Sequence, residues 1–475
     1  MLRPTRIFVI SDLHLGGDMP PMMSFPEVLA SFITSLPGRT KPDEAIQLVI
    51  AGDVIDFLAI ALDGAAEPWT EDPARAVRKL EKALHGHDSV IYAALARHLA
   101  EGHGLAILLG NHDIELALPA VQAALCARLD CWPGAIDFVD DGRAWRFGRA
   151  VVEHGNRYDD ANLNDWSSLR EIAASQSRGE TPLSRLEPSF GSRLVCDVVN
   201  KHKQTFDFID TLQPQGVMVA YLMAALDPSL LRSLPDLIQV WRGQSRQARN
   251  KIGAPPERRT TRSSEPAGPA PADAVYGPPV DTARLDALFG LTASPHQAGP
   301  SRTTRGGQAP MVLRELLRPG DQSLIRYLDD GTPIPRWRLE LVQTALSEMM
   351  WSDNSLELNG PTGPYGLAAE RIRGATGAQV VVMGHTHQAR ALGPAGHAQY
   401  INTGTWADLV RIPNEVLTLG PPGLNALEQW LKDLRGGHKV REVRPTWAEI
   451  RVERDGEVST AQLMRERIGS NGVNG

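Results

Sequence analysis

Five short apolar runs along the chain end abruptly in polar residues. The first, IFVISDLHLGGD, begins at Ile7, and the others are IQLVIAGD, LAILLGNHD, AWRFGRAVVEHG and AQVVVMGHTHQAR. Such runs are short and apolar, with many β-branched residues, which is typical of strands buried on both faces. The pattern therefore predicts five buried strands, each followed by a turn that carries carboxylate, imidazole or amide side chains.

Helix-like segments separate the early strands. The segment DPARAVRKLEKALHGH has Asp72 as the expected N-cap and Pro73 at the first helical position, and DSVIYAALARHLAEG ends at Gly102. Strands that alternate with helices favour an α/β fold, in which functional residues gather beyond the carboxyl ends of the strands. The polar residues after the five runs are expected there.

The middle of the chain has a different composition. Helix-like apolar segments follow Asp159, and interruptions by Pro, Gln and Asp favour a helical insertion over a membrane helix. From about residue 253 the chain is rich in Pro, Ala, Arg, Ser and Gly, which predicts a disordered loop. The predicted organisation is a first core part over 1–158, a helical insertion over 159–252, a disordered loop over 253–310, a helical return over 311–375, a second core part over 376–460 and a flexible tail over 461–475.

Composition argues against several classes of protein. The chain has 475 residues, 42% of them hydrophobic, and a net charge of −7, which argues against a general nucleic-acid binder. Three cysteines without metal-finger spacing fit a reducing compartment, and no run of about 20 apolar residues predicts a membrane span. Because the N-terminal apolar run is too short for a signal peptide, the expected location is cytoplasmic. Peripheral membrane contact and oligomeric state stay open.

The side chains at the five strand ends are candidates for a metal centre. They are Asp12, His14, Asp53, Asn111, His154, His385 and His387. Each has an ordinary explanation when taken alone: His154 as a hydrogen-bonded structural histidine, Asn111 as a left-handed turn residue, and GHTH as a simple turn. Their repeated occurrence after apolar runs argues against coincidence.

The chemistry of these candidates favours a two-metal centre. Imidazole, carboxylate and amide ligands without a thiolate suit manganese, iron, zinc or nickel rather than a structural zinc finger. The set is also too large for one ion. Two divalent ions bridged by one carboxylate and one hydroxide would use all of these groups.

The blocks SDLHLGG, AGDVID, LGNHD, EHGN and MGHTH resemble, in order, the motif blocks of the calcineurin-like metallophosphoesterase superfamily. They lie within residues 7–157 and 378–406. The resemblance implies a four-layer α/β/β/α sandwich of two packed sheets, here with a large, mostly helical insertion. It also implies hydrolysis of a phosphomonoester or phosphodiester by attack of a metal-bridging hydroxide on phosphorus.

The resemblance implies a role for each ligand. Those of the first metal are Asp12, His14, Asp53 and His387, and those of the second are Asp53, Asn111, His154 and His385, with Asp53 bridging. Manganese is the expected metal, with iron, zinc, nickel and magnesium as alternatives. His112 matches the family histidine that contacts phosphate and protonates the leaving group.

Three further residues in or next to these blocks have more than one interpretation. Asp113 would either orient the imidazole of His112 or cap the helix that begins at IELALPAV. Asp56 is expected to orient a ligand or its loop rather than to bind metal. Arg157 would either hold substrate phosphate or form a surface ion pair.

The blocks leave the substrate open. Phe57 follows the second block, with no nearby Arg of the kind that family protein phosphatases have there, which argues against that activity. The segments SDLHL, GDVIDF and HGN are similar to those of bacterial UDP-2,3-diacylglucosamine pyrophosphohydrolases, but these enzymes are shorter and have Arg where this chain has His112. A histidine at this position is more similar to cyclic-nucleotide phosphodiesterases and broad phosphodiesterases. The alternatives to a simple phosphoesterase are a sugar-nucleotide or lipid pyrophosphohydrolase, a nuclease, and a non-catalytic scaffold that retains the fold.

Overall fold

The apolar runs form strands of a mixed α/β fold, as the alternation of strands and helices predicts. The computed structural model describes residues 3–18, 20–203, 206–213, 324–352, 358–418, 420–436 and 441–466. The predicted disordered loop over 253–310 lies outside the described residues, as do the part of the helical insertion after residue 213 and the start of the helical return.

The strands are short, and the run AWRFGRAVVEHG forms two antiparallel strands joined by a turn rather than the single strand predicted. They are β1 (Thr5–Ile10), β2 (Ala45–Ala51), β3 (Gly104–Leu108), β4 (Ile136–Val139), β5 (Trp145–Phe147), β6 (Ala150–Val152), β7 (Leu212–Gln213), β8 (Val380–Met383), β9 (Arg390–Leu392), β10 (Tyr400–Asn402), β11 (Leu409–Arg411), β12 (Arg441–Glu442), β13 (Thr446–Val452) and β14 (Val458–Arg465).

The helices lie between these strands and in the insertion. The α-helices are α1 (Pro26–Ser35), α2 (Pro73–Leu84), α3 (Ser89–Ala100), α4 (Pro119–Arg128), α5 (Trp166–Ser177), α6 (Phe190–Leu194), α7 (Asn200–His202), α8 (Leu324–Asp329), α9 (Arg336–Ser352), α10 (Pro364–Thr376) and α11 (Pro421–Arg435). Single 3₁₀ turns cover Leu36–Arg39, Phe57–Ala59, Ile114–Ala117, Asn156–Tyr158, Asp160–Asn162 and Asn414–Leu417, and Val195–Val199 is a π-helical turn.

Helix α2 begins where the sequence predicts. The Asp72 carboxylate accepts hydrogen bonds from the backbone N–H groups of Ala74 and Arg75, and Pro73 occupies the first helical turn. Helix α3 is followed by Gly102, whose φ of 79° is a conformation that glycine adopts without strain. Both predicted ends are therefore present.

Two main sheets position the strand ends. The larger has the order β14-β13-β1-β2-β3-β4, with β1 to β4 parallel to one another, and the second has the order β5-β6-β8-β10-β9, with β6, β8 and β10 parallel. A small third sheet pairs β12, β11 and β7. Parallel neighbours bring their carboxyl ends to the same edge of each sheet.

The core follows the alternation of side chains along β1. Ile7 and Val9 join a buried cluster that also contains Val152 of β6 and Val382 of β8, so this cluster lies between the two sheets. Phe8 and the other alternate residues pack with helices α1 to α4 on the opposite face. On the far side of the second sheet, residues of α10 pack against β6, β8 and β10.

The predicted boundary of the tail needs a correction. Strand β14 extends to Arg465 and pairs with β13, with Ala461 opposite Ile450, whereas the flexible tail was expected from residue 461. Ala461 is buried, and this burial and the backbone pairing hold the segment in the sheet. The rest of the predicted tail, from 467, lies outside the described residues.

The described part of the chain contains no helix that combines the length and the apolar character needed to cross a membrane. The cytoplasmic location stays a prediction.

Candidate metal centre

The turns after the five predicted strands meet between the two sheets. Asp12 and Asp53 follow the parallel strands β1 and β2, and the N–H groups of Leu13 and His14 donate to the carbonyl of Asp53 at 2.9 and 3.0 Å. In the second sheet the N–H of Gly384 donates to the carbonyl of His154 at 2.9 Å. A further hydrogen bond joins the two sheets, because the N–H of His385 lies 3.0 Å from a carboxylate oxygen of Asp12.

These turns have an uncommon backbone conformation. Among the described non-glycine residues with positive φ, all but Asp63 and Asp130 are predicted metal ligands; these ligands are Asp12 (55°), His14 (48°), Asp53 (52°), His385 (69°) and His387 (55°). A residue with a Cβ pays on the order of 1 kcal/mol or more for this conformation. Such strain clusters at functional sites, where it aims side chains that a relaxed turn would direct elsewhere.

The predicted ligand atoms are within coordination distance of one another. His14 Nε2 lies 3.1 Å from His387 Nε2, and His387 Nε2 lies 3.3 Å from an oxygen of Asp12. Ligands that bind one ion at about 2.1 Å lie roughly 3.0–3.4 Å apart in octahedral or tetrahedral geometry. Asp12, His14 and His387 are buried and could together hold a metal ion.

A second cluster lies on the other side of Asp53. His154 Nε2 lies 3.3 Å from Asp53 Oδ2 and 3.3 Å from Asn111 Oδ1, and Asp53, His154 and His385 form another group that could hold an ion. His14 Nε2 lies 3.8 Å from the same Asp53 oxygen. The Asp53 carboxylate is therefore shared by both clusters, and the structure brings all seven predicted ligands together.

The buried carboxylates and imidazoles of the cluster shift one another's pKa values. Burial alone would raise the pKa of the Asp53 carboxyl, but the imidazoles of His154 and His112 hold it well below its usual range. Burial alone would lower the pKa of His154, but Asp53 raises it to about 10. By contrast, burial and the nearby His112 lower the pKa of His14 to about 3. Protons on the imidazoles thus balance the buried carboxylates, a balance that a bound cation would also provide.

The hydrogen bonds of His112 correct one prediction. His112 Nδ1 lies 2.9 Å from Asp56 Oδ1, so Asp56 orients this imidazole, and Asp113 does not. Asp113 instead accepts the backbone N–H groups of Val54 at 2.7 Å and Gly110 at 2.6 Å. Its side chain caps neither the 3₁₀ turn at 114–117 nor α4, so it joins the second and third turns of the site.

The charge of His112 follows from these neighbours. Burial alone would lower its pKa, but Asp53 and Asp56 raise it to about 9. The pKa of Asp56 is about 2, because His112 outweighs the effect of burial. The pair therefore consists of an imidazolium that donates from Nδ1 to a carboxylate, which leaves Nε2 to contact another group.

The structure also bears on the interpretations of Arg157 and Asn111. Arg157 forms an ion pair with Glu153 at 3.3 Å and donates to the carbonyl of Gly142, contacts that favour the ion-pair interpretation. Asn111 is absent from the positive-φ residues, so the left-handed turn interpretation is wrong for it.

Several residues that support the ligands were not predicted. Ser11 donates to the Asp12 carboxylate, and Thr405 Oγ1 donates to the Asp12 carbonyl at 2.7 Å. Asn359 donates to Thr386 Oγ1 in the GHTH turn at 2.8 Å, and Asp159 lies 3.1 Å from His385 Nε2. Ser11 lies in the first block, Asp159 follows the fourth block closely and Thr405 lies within residues 378–406, whereas Asn359 lies outside both motif-bearing ranges and has no local signal.

Gly384 offers a test of how tightly the site is packed. A Cβ on this residue would overlap with the side chains of Asp12 and Ser11. We expect Gly384→Ala to lower the free energy of unfolding by about 1–3 kcal/mol in urea titrations and to weaken Mn²⁺ binding. Gly374→Ala is the control, because no described atom beyond its chain neighbours and its own helix backbone lies within 4 Å of its Cβ position in α10. Wild-type stability and metal affinity in Gly384→Ala would contradict this view.

Comparison with known proteins does not identify the chain. No protein-family model matches it, and neither the curated proteins nor the solved structures give a significant match.

Proposed function

We propose that this protein is a dinuclear-metal-dependent phosphoesterase of the calcineurin-like metallophosphoesterase superfamily. The observation that carries the proposal is the position of the Asp53 carboxylate, which lies within 3.8 Å of His14 and 3.3 Å of His154 in two adjacent clusters. A carboxylate shared in this way suits two cations a few ångströms apart. The packing of helices on the outer faces of both sheets supports the four-layer sandwich of that superfamily.

The donors fit divalent cations, of which the superfamily resemblance favours manganese. Nitrogen and oxygen donors without sulfur suit this class of metal. Asp12, His14 and His387 would hold one ion, Asn111, His154 and His385 the other, and Asp53 both. Such a pair, when bound, lowers the pKa of coordinated water and offsets the negative charge of a phosphoryl group.

His112 and Asp56 would act on the leaving group. Asp56 fixes the imidazole through Nδ1, so that Nε2 can donate a proton to the departing oxygen. The T-shaped contact between the rings of His112 and His14, with centroids 4.6 Å apart, places this proton donor beside the first cluster. The imidazole therefore has a fixed orientation and a fixed position relative to the metal ligands.

The inserted segment would set the specificity. A Cβ placed on Gly17 would lie 3.8 Å from Asp56 Oδ2 and 3.9 Å from the Nζ of Lys203, so the described end of the insertion reaches the side of the site next to Asp56. A sugar-nucleotide or lipid pyrophosphate is the alternative substrate class.

Two chromogenic esters test the proposal. We expect purified protein with added Mn²⁺ to hydrolyse p-nitrophenyl phosphate or bis-p-nitrophenyl phosphate, and we expect chelation to abolish turnover until Mn²⁺ is restored. The measurement is the release of p-nitrophenolate together with the metal content of the same sample. Bound metal without turnover of either ester would favour the scaffold alternative.

A further inference from the structure

The first turn of the insertion contacts two predicted ligands of the second metal. His385 Nε2 lies 3.1 Å from Asp159 Oδ2, and Asn111 Nδ2 donates to Asn162 Oδ1 at 3.4 Å. Asn162 Nδ2 in turn donates to Asp159 Oδ2 at 2.7 Å. The four side chains form one continuous chain of hydrogen bonds that begins and ends on a ligand.

This turn is itself firmly held. The N–H of Ala161 donates to Asp159 Oδ1 at 3.0 Å, and the buried Asn156 donates to the carbonyl of Asn162 at 2.8 Å. A Cβ on Gly191 of α6 would overlap with Asn162 Oδ1, so α6 packs directly against the turn. Asp159 and Asn162 therefore have little freedom to move relative to the core.

The bonds determine which ligand atoms are available. A carboxylate at His385 Nε2 keeps the proton on that nitrogen and leaves the lone pair of Nδ1 for a metal. Asn162 likewise engages the amide nitrogen of Asn111, which leaves Asn111 Oδ1 facing His154 Nε2 at 3.3 Å. Partners of this kind fix the orientation of ligands and raise the basicity of the imidazole.

We propose that Asp159 and Asn162 are positioning residues of the second metal site. From the first turn of the insertion, Asp159 orients the ligand His385 and Asn162 orients the ligand Asn111. The inference rests on the proposed function, since it assigns these residues to one of the two metals. It also means that the insertion contributes to metal retention as well as to specificity, because its first residues complete the surroundings of Asn111 and His385.

The proposal is tested by removing metal from the protein with a chelator and then titrating Mn²⁺ into the metal-free protein. We expect wild type to bind two Mn²⁺ per chain, with the electron paramagnetic resonance spectrum of a spin-coupled pair. In Asp159→Ala the second site should lose about 10–100-fold in affinity by calorimetry, and the spectrum should become that of a single Mn²⁺, as in His154→Ala. Asp159→Asn retains an oxygen that can accept from His385 and should recover much of the affinity. Asp160→Ala, at the exposed neighbouring position, is the matched control.

A second variant guards against misfolding. Asn162→Ala leaves the Asp159 carboxylate in place and should show the same selective loss, with circular dichroism unchanged. Two coupled Mn²⁺ ions with wild-type affinities in both alanine variants would overturn the inference and leave the proposed function intact. A wild-type protein that binds no Mn²⁺ would instead overturn the proposed function.

Discussion

Asp53→Asn is expected to lose both cations and to lower kcat/KM by about 10³–10⁵-fold, since metal-ion stabilisation of a transition state is worth several kcal/mol and each 1.36 kcal/mol is tenfold. Asparagine preserves the shape of the side chain but removes the charge that both clusters share. The loss should therefore affect both ions at once, which no other single ligand is placed to do. Metal content and steady-state kinetics on the same samples measure it.

The matched control for this variant lies just before the same strand. Asp43 is exposed at the opposite end of β2, so Asp43→Asn removes one negative charge without touching the site. It should retain two ions and wild-type kcat/KM. If Asp53→Asn also retained two ions with unchanged affinity, the shared role of Asp53 would be wrong.

Much of the fold could be predicted because its signals are local. The apolar runs at Ile7, Gln47 and Gln379 became strands, since each has too many buried aliphatic residues for a loop. The boundary at 461 could not be found this way. The second half of β14 is held in the sheet by pairing with β13 and by the burial of Ala461. Neither interaction can be predicted from the local sequence of a terminus that contains Gly and Asn.

The convergence of the ligands within each sheet could also be predicted, because parallel strands present their carboxyl ends together, and the packing of the two sheets was implied by the resemblance. Which of the two carboxylates, Asp56 or Asp113, orients His112 could not be predicted. Asp113 is its neighbour in sequence, yet its carboxylate turns back to the N–H groups of Val54 and Gly110, whereas Asp56 reaches the imidazole from the next strand. Which carboxylate faces His112 depends on how the loops after β2 and β3 pack against each other, and no local pattern in the sequence indicates that packing.

The same reasoning explains why Asp159 was not predicted. It lies five residues after His154, outside the matching block, and its partner His385 is more than two hundred residues away. An acidic residue at the start of an insertion has many ordinary explanations, such as capping, and Asp159 does accept the N–H of Ala161 as a cap would. Only the contact with His385 distinguishes it.

His112→Ala is expected to lower kcat by about 10²–10⁴-fold for esters with a poor leaving group, while the protein retains its metal. The reason is that Nε2 supplies the proton that an alkoxide needs, whereas p-nitrophenolate departs without one. The loss on bis-p-nitrophenyl phosphate should therefore be much smaller than the loss on a dialkyl phosphodiester or an alkyl phosphate, in which the only available leaving group is an alkoxide. Asp56→Asn, which keeps a hydrogen-bond acceptor but removes the charge, should fall between His112→Ala and wild type.

The dependence on the leaving group separates proton donation from a merely structural role. If His112 only held the site together, its removal would slow good and poor leaving groups equally and would lower metal content as well. His85→Ala is the matched control, because His85 is exposed and its ring contacts the carbonyl of Glu81 at the end of α2. Equal losses for both kinds of ester would contradict proton donation by His112, and since Asp56 acts on the ester only through this imidazole, the role of Asp56 would fail with it.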